Sequence, residues 1–231
     1  MAAVQIVGVE KDFGTTHIIR GVDIDMEDGQ FTVLVGPSGC GKSTLLEMLA
    51  GLRQLPAGVV EAATLSGTAR WAAPIRLPLA WFAFVEQRPY IFEGTVRENL
   101  APKLDGEGSE RLWQSLRLVN LDTFVERSGG LDLKLRDAGK NLSEGQKYRL
   151  VLARALLADR PFLLVDEPFA SLDPFSVATV AQALNAQRAA GTGIVLVSHI
   201  LPPDLAVDDV LDFGVPSLVN RRHRIPGDAH I

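Results

Sequence analysis

Apolar and polar positions alternate along the chain with two periods, one suited to strands and one to helices. Residues 4–9, 18–25 and 31–35 are short runs rich in branched side chains, separated by Gly14 and the Asp28-Gly29 pair, and they predict three strands near the N-terminus. Residues 42–52 predict a helix, 59–63 and 81–85 further strands, and 95–100 and 109–119 two more helices. Pro102, Gly106 and Gly108 mark residues 101–108 as a loop. Over residues 143–158, Leu150, Ala153 and Leu157 recur at helical spacing and give one apolar stripe that can face a core.

The last third repeats the alternation in tighter form. Phe162-Leu163-Leu164-Val165 is a continuous apolar run between Pro161 and Asp166, the pattern of a strand buried on both faces of a parallel sheet. Residues 175–190 are alanine-rich and stop at Gly191, as a helix with a glycine C-terminus does, and residues 194–197 form the next apolar run. Strand, helix, strand in that order predicts an α/β fold, with an additional antiparallel portion near the N-terminus. The tail from Pro216 has no clear periodicity.

Composition changes this picture in three places. A mean hydropathy of +0.15 raises the question of a membrane span, which needs roughly 20 consecutive apolar residues. The richest stretch, residues 71–85, carries Arg76, Pro74 and Pro78, so no span is expected. The first residues lack a basic segment ahead of an apolar core, so no secretory signal is expected and the cytosol is the default compartment. Twenty-three basic against 28 acidic side chains give a net charge of −5, the wrong sign for a nucleic-acid clamp, and no nucleic-acid partner is expected. The single cysteine forbids an internal disulfide or a multi-cysteine zinc site.

Two motifs carry chemistry. Gly36-Pro37-Ser38-Gly39-Cys40-Gly41-Lys42-Ser43-Thr44 follows a predicted strand and opens a predicted helix, the context of a phosphate-binding P-loop. Its glycines let backbone N–H groups converge on phosphate oxygens, and the helix N-terminus adds partial positive charge. Lys42 is then placed to reach the β- and γ-phosphates and the Ser43 hydroxyl to ligate Mg²⁺. Cys40 reads chiefly as a small residue that fits the tight loop. The second motif is Leu163-Leu164-Val165-Asp166-Glu167, an acidic pair at the end of a buried strand, where open α/β sheets bind ligands. Asp166 is the candidate to hold Mg²⁺ through its water shell, and Glu167 the candidate base for an attacking water.

Kinases, GTPases and transport ATPases share those two motifs. Asn141-Leu142-Ser143-Glu144-Gly145-Gln146, just before the acidic strand and opening a helix, resembles the signature motif of the ATP-binding cassette (ABC) ATPases. Gln87 resembles that family's Q-loop glutamine, Ser171-Leu172-Asp173 its D-loop, and His199 its switch histidine, while Phe13 stands where the family often has an aromatic that stacks on adenine. The resemblance runs from about Val4 to Phe213. It implies a P-loop NTPase fold with a RecA-like parallel-sheet core, an N-terminal antiparallel β-subdomain and an inserted α-helical subdomain. Residues 1–231 are then one ABC domain, with about 1–87 and 160–215 as catalytic core, about 88–159 as helical subdomain, and 216–231 as tail.

The same resemblance implies the roles. ATP with Mg²⁺ is the ligand, held by the P-loop, with Ser43, Gln87 and Asp166 around the metal. Glu167, His199 and Gln87 are the catalytic set. Ser143, Glu144, Gly145 and Gln146 act in trans on the ATP of a second, paired ABC ATPase subunit, with Asp173 in the D-loop between them. The signature reads Ser-Glu-Gly where Ser-Gly-Gly is commonest, and Glu144 is expected to point to solvent.

Tyr90, Ile91 and Phe92 follow Gln87 directly, in the part of transporter cassettes that receives a coupling helix from a membrane permease. This segment, with Thr95, Asn99 and the approach to the signature, resembles exporter cassettes, whereas the run from Asp166 to Asp173 is closer to importers, so the direction of transport stays open on these residues. The expected protein is the ATP-hydrolysing subunit of an ABC transporter. It would sit peripherally on the cytoplasmic face of the cell membrane, pair with a second copy, and work with separate permease subunits and, for an importer, a solute-binding protein. The alternative is a soluble ABC ATPase of a non-transport assembly such as cluster assembly. Arg221-Arg222-His223-Arg224 reads as a solvated tail.

Overall fold

A computed structural model describes residues 2–64, 67–78, 80–101 and 108–213; most of the loop expected at 101–108, and all of the tail from 216, lie outside these residues. Strands β1 (Ala2–Phe13), β2 (Thr16–Met26) and β3 (Phe31–Val35) precede α1 (Lys42–Leu49), and β4 (Ala57–Thr64), β5 (Gly67–Ala72) and β6 (Phe82–Val85) follow it. A helical stretch comes next: β7 (Gly94–Thr95), α2 (Val96–Leu100), α3 (Ser109–Leu118), α4 (Asp122–Arg127), a 3-10 turn, β8 (Lys134–Leu135) and α5 (Glu144–Leu157). The chain then returns to the sheet through β9 (Phe162–Asp166), α6 (Pro174–Ala189), β10 (Gly193–Val197) and β11 (Asp209–Asp212).

Two sheets result. The central one has the order β11-β3-β10-β9-β6, and every pairing in it is parallel. The second, β2-β1-β4-β5, is antiparallel throughout. Side chains of the central strands alternate between two cores, as the period of two requires. Leu163, Val165, Ile194 and Leu196 face the core built with α5, α6 and the helical stretch. Phe162, Leu164, Val195 and Val197 face the other, built with α1 and the antiparallel sheet. Most of the apolar stretch 71–85 belongs to this second core, with Ala83 and Val85 facing the first: Leu77 and Phe82 are buried in the second, Phe82 stacks on Phe162 at 5.3 Å, and Trp71 meets Trp81 edge-on at 5.3 Å.

Several boundaries differ from the sequence reading. Helix α1 stops at Leu49 rather than 52, because Leu52 and Arg53 turn their N–H groups back onto the Glu47 carbonyl, a helix-ending closure. Helix α6 starts at Pro174, after Asp173 caps it by accepting from the Ser176 N–H at 2.9 Å. Strand β5 lacks any buried residue and is held by its pairing to β4 and by Trp71 against the core, so its hydrophobic pattern carried no signal. Among the described residues, no helix is long and apolar enough to cross a membrane.

Asp208 fastens β11 and α6 to the central sheet. It accepts from the buried Phe31 N–H at 2.8 Å and from Arg188 Nε at 2.7 Å, while its own N–H bonds the Phe31 carbonyl at 2.9 Å. The hydrogen bonds from Arg188 above all, and then from Phe31, hold the Asp208 carboxyl below the usual carboxylate range against its partial burial. A lowered folded-state value means that this stability is present above the unfolded pKa and is lost as pH falls through the folded value. Asp208→Ala, which orphans a buried N–H, is expected to lower unfolding free energy by about 1–3 kcal/mol at neutral pH. Urea melts of the two proteins should converge below pH ~4.

Candidate nucleotide site

Parallel pairing brings the predicted residues together. Strands β3, β6, β9 and β10 all end on one edge of the sheet, with Val197 opposite both Leu34 and Asp166, and Val85 opposite Val165. The segments that leave this edge are the P-loop after β3, Gln87 after β6, Glu167 after β9 and His199 after β10. An open cleft of about 640 Å³ lies there, and Phe13, Ser38, Gly39, Gly41, Lys42, Ser43, Thr44, Gln87, Glu167 and His199 are among its lining residues.

The P-loop is shaped for an anion. Gly41, at the N-cap of α1, has φ +103°, and a Cβ there would meet Ile19 at 2.7 Å and Ile18 at 2.9 Å, so the turn needs glycine. No side chain caps α1 and no acid stands in its first turn, which leaves its N–H groups and partial positive charge to a ligand. Lys42 is buried at 5% exposure, and its Nζ donates to the Gly36 carbonyl at 2.8 Å and the Pro37 carbonyl at 3.0 Å, with Cys40 Sγ at 3.5 Å. The two carbonyls carry no formal charge, so they stabilise the buried ammonium without neutralising it.

The acidic edge is equally ordered. Ser43 Oγ donates to Asp166 Oδ1 at 3.1 Å. Burial pushes the Asp166 carboxyl up, the nearby Glu167 and Glu47 add to the rise, and the Ser43 hydrogen bond and Lys42 oppose it. A hydroxyl and a carboxylate side by side suit Mg²⁺, a hard cation that keeps several waters and takes its other oxygens from phosphates. Among the described residues there is no cluster of three or more His, Cys, Asp or Glu side chains of the kind that cages a metal by itself. Glu167 has φ +45°, a left-handed conformation costing about 1–3 kcal/mol for a residue with a Cβ, and such strain concentrates at working sites. It is held by its N–H to the Val197 carbonyl at 2.8 Å, by the His199 N–H to Oε2 at 3.3 Å, and by His199 Nε2 at 3.1 Å from Oε1. Phe13 stands 44% exposed, with Lys11 Nζ 5.1 Å and Arg53 Cζ 5.7 Å from its ring centroid.

The signature residues are elsewhere. Ser143, Glu144, Gly145 and Gln146 are not among the cleft-lining residues. Ser143 caps α5 in a reciprocal box with Gln146, and Glu144 is paired with Lys147 Nζ at 2.7 Å with most of its side chain exposed. Gly145 abuts the D-loop: a Cβ there would meet Asp173 Oδ2 at 2.8 Å and run into Ser176 Oγ. Asp173 thus serves α6 as its cap. Ile91 departs from the expected docking cluster, for it is 2% exposed and packed in the core beneath Gly139, while Tyr90 and Phe92 are 62% and 38% exposed. Arg149 was missed on sequence alone; it donates from within the protein to the carbonyls of Gly145, Val119 and Asn120. A cation between Tyr148 and Leu150 in an otherwise apolar stripe was its only signal.

A family model described as ABC transporter matches residues 19–170. The chain belongs to the ABC transporter family. Within that family it matches the part that its relatives' names call ATP-binding, on the α/β P-loop fold described above. It is 37% identical over 201 residues to the mycobactin import ATP-binding/permease protein IrtB of Mycobacterium bovis, covering 87% of this chain and 34% of the relative. It is 35% identical over 201 residues to the sn-glycerol-3-phosphate import ATP-binding protein UgpC 3 of Rhizobium johnstonii, covering 86% and 55%. A solved structure of a bacterial Atm1-family ABC exporter with ATP bound superposes with a TM-score of 0.79 at 24% identity, over 91% of this chain and 37% of that one, a likeness of fold. Both of these sequence relatives are named as import proteins. The chain spans about a third of the IrtB relative's length.

Lys42→Ala removes the buried ammonium at the cleft wall, which is expected to face a bound triphosphate. A non-hydrolysable ATP analogue should bind roughly 10- to 100-fold more weakly by calorimetry, with little change in melting temperature; unchanged affinity would remove Lys42 from the site.

Proposed function

We propose that the chain hydrolyses ATP as one of a pair of cassettes on the cytoplasmic face of a membrane, and that the cycle drives a permease. The observation that carries this reading is the separation within one chain: Lys42, Ser43, Gln87, Glu167 and His199 line one cleft, and the signature residues do not. A second copy arranged head to tail supplies them, so that Ser143 and the N-terminus of α5 face the partner's γ-phosphate and stabilise its charge in trans, as an arginine finger does. A homodimer is the simplest such pair.

In this reading Lys42 and the first turn of α1 bind the polyphosphate, and Phe13 carries the adenine. Ser43 would hold Mg²⁺ directly, Asp166 through water, and Gln87 from the loop after β6; the ion would supply neutralisation of phosphate charge. Glu167 takes the proton of the attacking water as its oxygen bonds the γ-phosphorus, and the bond to the β,γ-bridging oxygen breaks to leave ADP and phosphate. His199, in contact with Glu167 through both its backbone N–H and its ring, holds that carboxylate in register.

The permease contact falls on Tyr90 and Phe92. Their rings meet edge-on at 5.1 Å, and Arg154 fixes them by donating to the Tyr90 carbonyl at 3.0 Å with its guanidinium 5.0 Å from the Phe92 centroid. A braced aromatic pair just after Gln87 suits a coupling helix, whose motion then reaches the metal through that glutamine. The core of about 1–87 and 160–215 and the helical part of about 88–159 are the bodies that move against each other in this scheme.

Glu167→Gln keeps the shape of the site and removes the base. It should bind ATP, accumulate as an ATP-bound pair in size-exclusion chromatography, and lose about 10²–10⁴-fold in kcat. Near-normal hydrolysis would reject the base assignment.

A further inference from the structure

The two ends of a nucleotide in the cleft fall to different parts of the fold. Its phosphates belong to the first turn of α1, and its base to Phe13, the last residue of β1, paired with Thr16 where the chain turns into β2. Apolar packing does not secure that ring. Phe13 belongs to neither of the two apolar cores and stands 44% exposed at the wall of the cleft. A phenylalanine this open changes rotamer freely, and each change takes away the face on which a base would stack.

What reaches the ring is charge. Arg53 brings Cζ to 5.7 Å from the ring centroid and Lys11 brings Nζ to 5.1 Å, both inside the range of about 6 Å over which a cation is drawn to an aromatic face. The two cations differ in what carries them. Lys11 stands on β1 with Phe13 and moves with it. Arg53 is anchored to α1 instead: its Nε donates to Glu47 Oε2, and its backbone N–H bonds the Glu47 carbonyl at 3.1 Å. Glu47 lies in the same helix as Lys42 and Ser43, so one line of contacts runs from the phosphate-binding helix through Glu47 and Arg53 to the Phe13 ring. Neither Glu47 nor Arg53 is among the residues lining the cleft. With side chains 30% and 46% exposed, their ion pair adds little to the stability of the fold.

We propose that Arg53 is a positioning residue for the nucleobase: tied to α1 through Glu47, it holds the Phe13 ring at a fixed place relative to the P-loop, so that base and phosphates are bound together. It acts on the base alone and through the ring alone. Its loss therefore weakens nucleotide binding and leaves phosphate binding and the chemical step as they were.

The inference rests on Phe13 being the base platform, and calorimetry on the full chain keeps the two apart. Arg53→Gln should bind a non-hydrolysable ATP analogue roughly 2- to 5-fold more weakly, the worth of one exposed cation–π contact, with affinity for inorganic tripolyphosphate, kcat at saturating ATP and melting temperature unchanged. In a Phe13→Ala background the same substitution should have no further effect, because the ring through which it acts is gone. Unchanged affinity for the analogue, an equal loss for tripolyphosphate, a fall in kcat at saturation, or losses that add in the double variant each overturns the proposal. Phe13→Ala alone separates the two readings. If it weakens the analogue while Arg53→Gln does not, the positioning role fails alone; if it leaves the analogue unchanged, the platform fails and the positioning role with it.

Discussion

Parallel pairing of β3, β10, β9 and β6 is the constraint on which the site depends. Strands that run the same way leave the sheet at the same edge, so residues as far apart as Ser38 and His199 arrive within one cleft. Parallel strands need both faces covered. The alternation of Leu163 and Val165 into one core, Phe162 and Leu164 into the other, meets that need and also fixes the register of Asp166 opposite Val197. A slip by one residue would exchange the cores and move Glu167 off His199.

The second constraint is the close fit of α5 against the start of α6. Gly145 leaves room for the Asp173–Ser176 cap, and Arg149 closes the underside by bonding three backbone carbonyls, one of them that of Gly145, while its guanidinium lies 5.2 Å from the Phe175 ring centroid. The signature and the D-loop are therefore one packed unit within a chain. A chamber lined by Glu144, Lys147 and Tyr148 of α5 lies beside this unit and is also lined by Glu167.

The chemistry was more legible in the sequence than the geometry. The P-loop and the Asp166-Glu167 pair stand next to strong apolar runs, because a buried parallel strand has almost no freedom in composition. Elements that bury little left a faint trace: β5 has no buried residue, α4 is one and a half turns with only Val125 buried, and β11 is an apolar pair between acids. Ile91 illustrates a different limit. Three consecutive aromatic or aliphatic residues announce an apolar cluster but not which of them faces in, and contact with Gly139, distant in sequence, decides it. Tyr148 and Arg149 were hidden for the opposite reason, as polar groups within a helix whose periodicity speaks only for its apolar side chains. The family resemblance supplied the roles of Gln87 and His199, which residue type alone does not carry.

The central claim is that each ATP is worked on by two chains, and mixing two disabled proteins tests it most directly. Lys42→Ala disables a P-loop and Ser143→Arg blocks a signature, so each protein alone has two crippled sites per pair. An equimolar mixture forms mixed pairs in which one site has both an intact P-loop and an intact signature. ATPase activity of the mixture should rise to roughly a quarter of the unmodified rate, the statistical share of intact sites in a two-fold pair. Activity no higher than the mean of the two separate variants, with mixed pairs demonstrated by a tag on one chain, would contradict it.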